Sequence, residues 1–337
     1  MRRRSRILLL IFLLRILFVS HGFQKNTLAA GGSTAMLPIM SFWTERFSYH
    51  SYKISYEGVG SGTGISRLID GVYAFAASDE YVPAELAKEY DLINIPILVQ
   101  AFVFVVNMPM KIRLNATIIA EIYLGEIAYR DDPKIEALNH IDLPHKPIIA
   151  VHRKDASGTT AVITTRLSKN SAKRSSVVGS GDSVYWPVDD TGRGVAAIGN
   201  SGVAEAIKER PYSIGYVSYA WAKELDLNIV SLPNAEGEFV EPSINAFEEA
   251  VEAHKIPENY SSYVLDSPRG WPIVSLGYVV LYRGLKNLSP EAKEAVKAFL
   301  RYALTAGQEI LEKAYFAKLP PKIVEKVLEL LSSFRCF

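Results

Sequence analysis

At 337 residues, 49% hydrophobic and 22% charged, the chain has ordinary globular composition, with length for about two domains and a sizeable core. A formal net charge of +1 excludes a dedicated nucleic-acid surface and a polybasic membrane binder. The single cysteine, Cys336, excludes an intrachain disulfide and a cysteine-based metal site. The six histidines include no pair at metal-ligand spacing, so neither a metal nor another cofactor is expected.

Arg2, Arg3, Arg4 and Arg6 precede an apolar stretch over residues 7–19, broken only by Arg15. A basic region before a short apolar one reads as an export signal, occupying residues 1–26. The stretch is shorter than the roughly 20 residues of a bilayer-spanning helix, and no cysteine lies nearby for lipid attachment. Arg15 leaves retention as an uncleaved anchor open. The exported domain then starts near Thr27.

From there, short β-type runs alternate with runs of helical period. Gly32-Ser33-Thr34 opens onto Met36, Ile39, Met40, Trp43 and Phe47, which recur at helical spacing. A strand is expected over 53–56, then the loop 60–64 (Gly-Ser-Gly-Thr-Gly), followed by Ile65, Leu68, Ile69 and Val72 on one helical face. Strands are expected over 73–77, 147–152 and 213–218, and Ser157-Gly158-Thr159-Thr160 opens a third helix through Ile163 and Leu167. The long apolar segments 95–107 and 271–282, with Pro96 and Pro272 near their starts, read either as central buried strands or as hinges crossing between two lobes. Ser289-Pro290 starts a late helix carrying Val296, Phe299, Leu300, Ala303 and Leu304; Pro321 starts another, with Ile323, Val324, Val327, Leu328 and Leu331 inward. This alternation predicts an α/β protein with mainly parallel sheets.

A helix N-terminus carries unsatisfied N–H groups and about half a positive charge, so it attracts anions. One such loop is an ordinary cap. Three glycine-bearing ones, with Arg153 four residues ahead of Ser157, favour a site for a tetrahedral oxyanion. The loop 60–64 lacks the Lys-Ser/Thr ending of a nucleotide-phosphate loop, and no dinucleotide loop or serine nucleophile elbow occurs. A serine hydrolase using Ser157 or Ser183 is the weaker reading, because His152 is expected to face away from whatever Arg153 binds.

The order and spacing of several segments then resemble the solute-binding proteins of ABC-type phosphate importers, over about residues 29–331. They are Gly32-Ser33-Thr34, the run 58–65, Ala77-Ser78-Asp79, Tyr123-Leu124-Gly125-Glu126-Ile127 with Asp132-Pro133, and the run 151–160. Trp186-Pro187, the run 199–204, Ser213-Ile214-Gly215-Tyr216-Val217 and Leu319-Pro320 follow. The resemblance implies a two-lobed periplasmic-binding-protein-like α/β fold with the ligand cleft between the lobes. Lobe I is expected over 27–104 and 274–337, and lobe II over 105–273. It further implies that Thr34 and Ser61 donate to phosphate, that Ser33 contributes through its backbone or hydroxyl, and that Asp79 accepts from it. Arg153, Ser157, Gly158 and Thr159 close from the second lobe, and Asp155 holds the Arg153 guanidinium.

A monomeric binder outside the cytoplasmic membrane is implied, not an enzyme, delivering inorganic phosphate to membrane permease subunits; a stand-alone scavenger or sensor is the alternative. Two departures are visible. Ala156 stands where the family has Gly, which strains the chain if that position needs a positive φ. Tyr129-Arg130 replaces Trp-Asn, at a place expected on the second-lobe surface.

Overall fold

The computed structural model describes residues 26–334; the export-signal reading of the N-terminus and Cys336 lie outside the described residues. The strands are β1 (Asn26–Gly32), β2 (Tyr52–Gly58), β3 (Phe75–Ser78), β4 (Leu92–Val106), β5 (Ile149–Arg153), β6 (Gly194–Ala197), β7 (Ser213–Ser218), β8 (Asn228–Ile229), β9 (Leu232–Pro233), β10 (Phe239–Val240), β11 (Tyr263–Leu265) and β12 (Ile273–Tyr282). The main sheet runs β2-β1-β3-β12-β4-β7-β5-β6, with β11 on β12 and β8 on β4.

The strands expected over 53–56, 73–77, 147–152 and 213–218 fall on β2, β3, β5 and β7. The sheet is mixed rather than mainly parallel. β2, β1 and β3 are mutually parallel, as are β5, β6 and β7, but β12 is antiparallel to β3 and β4, and β4 to β7.

β4 links the two halves. Its partner at Ala101 is Val274 of β12, and at Phe102 it is Ser218 of β7. Its near-continuous apolar sequence follows from burial on both faces. Within segment 271–282, β12 is a second central buried strand, pairing with β3, β4 and β11. Pro96, which has no N–H to donate, sits opposite Tyr278 where the β4–β12 register shifts.

The helix Leu37–Arg46 buries Ile39, Met40 and Trp43, and Ser61–Ile69 buries Ile65 and Leu68. Val72 lies beyond that helix and is 58% exposed, so the periodic face ends earlier than its apolar residues suggest. Ser289 caps Pro290–Leu304 by accepting from the Ala292 N–H, and Pro321–Ser333 turns Val327 and Leu331 inward. Arg130, expected at the surface, is 1% exposed. It donates from Nη2 to the carbonyls of Tyr212 and Ser213, bracing the entry to β7. Burial without a carboxylate pulls its pKa down to about 10. Tyr129 is the exposed member of that pair and stacks on His145.

Candidate functional site

The C-terminal ends of β1, β3 and β5 lead into the loops that carry the expected residues. Ser33 follows β1, Ser61 opens its helix after β2, Asp79 follows β3, and the loop after Arg153 leads into the helix Gly158–Asn170. Parallel βα units therefore aim helix N-termini and loop hydroxyls at one place.

Asp79, 1% exposed, is the centre of this arrangement. Its Oδ1 accepts from the Ser33 hydroxyl and, at 3.1 Å, from Gln100 Nε2; its Oδ2 accepts from Thr159 Oγ1 at 2.8 Å. The Asp79 N–H donates to Ser61 Oγ at 3.2 Å, and its carbonyl accepts from Ser275 Oγ at 2.8 Å. Burial pushes its pKa up. The three donors and the charge of Arg153 oppose that rise.

From the other side comes Arg153, 5% exposed. Its Nε donates to Asp155 Oδ1 at 2.8 Å and its Nη2 to Asp155 Oδ2, a side-on pairing that leaves Nη1 uncommitted to Asp155. Burial works to raise the Asp155 pKa, but Arg153 and the Gly199 N–H at 3.0 Å outweigh it and hold the carboxyl below its ordinary value. The Arg153 N–H donates to Tyr216 OH at 3.1 Å, which also shares a hydrogen bond with Thr160 Oγ1 at 2.9 Å. Burial pushes the Tyr216 phenol up to about 12, so it stays neutral.

Ser157 caps its helix by accepting from the Thr160 N–H at 3.2 Å, leaving the first-turn N–H groups of Gly158 and Thr159 without helical carbonyls. Gly158 has to be glycine at this approach. A Cβ there would lie 2.6 Å from Ser61 Oγ and 2.9 Å from Asp79 Cβ. Ala156 is not among the described residues with positive φ, so the expected strain is absent.

Every expected residue is thus near the junction of the two halves, in different roles. Ser33, Ser61, Gly158 and Thr159 surround Asp79, while Asp155 and Arg153 form a pair beside them. Thr34 is turned toward the second half, where its Oγ1 accepts from the Asn200 N–H at 3.1 Å and Asn200 Nδ2 at 3.0 Å. His152 points elsewhere, stacking on Trp186 with Nε2 on Asp189 at 2.8 Å. Ser183 is exposed. Gln100, Asn200, Tyr216 and Tyr56, whose OH donates to the Ser33 carbonyl at 2.8 Å, were not anticipated as site residues. Gln100 had one signal, an amide interrupting the apolar run of β4.

The donor inventory decides the chemistry. The oxygens of Thr34, Ser61 and Ser157 each accept an N–H, and none of their hydrogens has an acceptor among the described residues. With Arg153 and the bare helix N–H groups they form a donor-rich lining around one carboxylate acceptor. Among the described residues no cluster of His, Cys, Asp or Glu could hold a metal ion.

Two halves joined through a shared strand, with ligand-type loops meeting at the carboxyl ends of parallel strands, define a solute-binding protein of the two-lobed class. Residues 20–306 match the family model described as the PBP superfamily domain. The phosphate-binding protein PstS of Haemophilus influenzae is 34% identical over 314 residues, covering 90% of this chain and 92% of its own. Its counterpart from Methanocaldococcus jannaschii is 36% identical over 293 residues, covering 79% and 75%. The periplasmic phosphate-binding protein PfluDING, solved with bound phosphate, superposes with a TM-score of 0.71 at 19% identity, covering 90% of this chain and 93% of its own. The chain belongs to the PBP superfamily and, within it, to the PstS family of phosphate-binding proteins.

Proposed function

We propose that this protein binds inorganic phosphate outside the cytoplasmic membrane and delivers it, as a monomer, to the permease subunits of an ABC-type importer. The observation that carries this reading is the fully buried carboxylate of Asp79 inside a donor-rich lining. A ligand that suits it presents several acceptor oxygens and one hydrogen to give away, as hydrogen phosphate does near neutral pH. The names of the PstS relatives and the bound phosphate in PfluDING support the same ligand.

In this reading Thr34, Ser61, Arg153, Ser157, Gly158 and Thr159 give donors to phosphate, Asp79 takes its hydrogen, and Asp155 fixes the guanidinium. Ser33, whose hydroxyl donates to Asp79 and whose N–H donates to the Ala77 carbonyl, supports Asp79. The lobes divide as 27–104 with 274–337, and 105–273, a division supported by the change of β4 partner after Ala101. Export rests on the basic and apolar start of the chain and on the periplasmic description of PfluDING. No helix among the described residues is long and apolar enough to cross a membrane. The protein acts as a binder rather than a catalyst, in keeping with His152 being engaged by Asp189 and Trp186 and not by either candidate serine.

Calorimetric titration with phosphate, arsenate, sulfate and molybdate tests the reading. Phosphate is expected to bind with micromolar or tighter affinity, about −8 kcal/mol or beyond, and sulfate far more weakly. Absence of phosphate binding, or equal affinity for sulfate, overturns it.

A further inference from the structure

Asn200 sits second in the helix Gly199–Glu209, is 1% exposed, and has every polar atom committed. Its Oδ1 accepts from the Ser218 N–H at 2.8 Å, which fixes the amide with Nδ2 turned away. Nδ2 reaches Thr34 Oγ1 at 3.0 Å and Thr159 Oγ1 at 3.4 Å, and the Asn200 N–H reaches Thr34 Oγ1 at 3.1 Å. Trp221 Nε1 adds a bond to the Thr34 carbonyl at 2.8 Å. The Thr34 hydroxyl and carbonyl are therefore both held from the second half of the molecule.

A hydroxyl oxygen has two acceptor lone pairs and one hydrogen. Thr34 Oγ1 spends both lone pairs on Asn200, so it can take part in a further hydrogen bond only as a donor. Thr159 Oγ1 accepts from the same amide and gives its hydrogen to Asp79 at 2.8 Å. One amide thus sets the direction of two hydroxyls that come from different lobes. The neighbouring Gly199 N–H reaches Asp155 at 3.0 Å, so the first turn of this helix supports both Thr34 and the Arg153 pair.

We propose that Asn200 is a polarity-setting residue of the cleft: by filling the acceptor sites of Thr34 and engaging Thr159, it makes both hydroxyls obligate donors when the lobes meet, so that the closed site selects an acceptor-only oxygen at Thr34. Asn200 acts through the two threonines and is a positioning residue. The inference rests on the phosphate reading above, and it adds a specificity element outside the three glycine-bearing loops.

The discriminating variant is Asn200→Asp. It keeps the shape and the Ser218 bond but removes the side-chain donors and offers acceptors instead, so the Thr34 hydrogen turns away from the ligand. Titration of the purified protein with inorganic phosphate is expected to give about a 30-fold rise in Kd for Asn200→Asp and about 10-fold for Asn200→Ala. Thr34→Val is expected to cost about 10-fold in the wild-type background and under about threefold in the Asn200→Ala background, since the hydroxyl there is no longer oriented. Multiplying losses in the double variant overturn the proposal, because a merely structural asparagine gives that result. So does Asn200→Asp binding phosphate as tightly as Asn200→Ala. A wild-type protein that fails to bind phosphate overturns the ligand reading itself; wild-type binding with multiplying losses overturns the role of Asn200 alone.

Discussion

Thr159 Oγ1 donates to Asp79 Oδ2 at 2.8 Å across the meeting point of the two halves. With Ser33 and Gln100 on Oδ1, the carboxylate takes protein donors on both oxygens while buried, which opposes the upward push of burial on its pKa. An ionised carboxylate only accepts, so it welcomes a ligand hydroxyl and repels a bare anionic oxygen.

Asp79→Asn keeps the shape but removes that charge and introduces a donor. The phosphate-over-sulfate preference is expected to narrow at least about tenfold, or ~1.4 kcal/mol, mainly because sulfate is admitted. Competition calorimetry on both proteins measures it. An unchanged ratio means that Asp79 does not face the ligand.

Arg153→Ala removes a cation 5% exposed and strands Asp155, whose low pKa depends on it. Truncating one partner of such a pair costs about 3 kcal/mol or more, a loss of at least about 100-fold in phosphate affinity. Arg153→Lys is expected to recover little, since one ammonium cannot reproduce the Nε and Nη2 fork on Asp155 and keep a third donor forward. Binding by Arg153→Ala within about threefold of wild type, under ~1 kcal/mol, would place the anion elsewhere.

What the sequence revealed and what it hid follow from the range of the interactions involved. The three loops were legible because glycine and hydroxyl residues directly precede apolar residues at helical spacing, a local signal. Asp79 entered only through the family resemblance, since an acid after a short strand has no local mark. Gln100 was visible as an amide in an apolar strand, but its partner lies 21 residues back, and periodicity says nothing of that. Asn200 and Thr34 are 166 residues apart, and only the closing of one lobe on the other joins them. Arg130 was misplaced for a similar reason, because the two carbonyls that accept it belong to the entry of β7, 82 and 83 residues away. The second long apolar segment stayed open between two readings because a buried strand and a crossing strand have the same composition.

Glu80 gives a pH-dependent expectation. Its backbone is pinned by Ser78, whose Oγ accepts from the Glu80 N–H at 3.2 Å and donates to its carbonyl at 2.7 Å. Burial, then the charges of Asp182 and Asp79, push its pKa from 4.5 up to about 8. The folded state thus binds a proton that the unfolded chain releases, so this group lowers stability progressively as pH rises from 4.5 to about 8. Glu80→Gln removes that penalty. Thermal melts are expected to show no gain for the variant at pH near 4 and a higher Tm than wild type at pH near 9. A difference that stays flat across this range would show that Glu80 titrates normally.

Gly62 and Ala156 provide the sharpest test of closure. A Cβ on Gly62 would lie 2.7 Å from Ala156 Cβ and 2.7 Å from Asp182 Oδ2, contacts that exist only where the two lobes meet. Gly62 is inside the helix Ser61–Ile69 with no positive φ, so alanine fits its backbone and improves helix propensity by about 1 kcal/mol. Gly62→Ala is therefore expected to leave the Tm without phosphate unchanged or raised. Overpacking at the interface costs about 1–3 kcal/mol, so phosphate affinity is expected to fall about 5- to 150-fold. Ala156→Gly in the same protein removes the carbon contact and leaves the carboxylate one, and at least half of the lost binding free energy is expected to return. Ala156 would then be seen as one half of a matched pair, with Gly62 the other. Melting curves and phosphate titrations on the two single variants and the double variant decide it: if Gly62→Ala binds within threefold of wild type, or the second change restores nothing, the two positions do not meet in the binding-competent state.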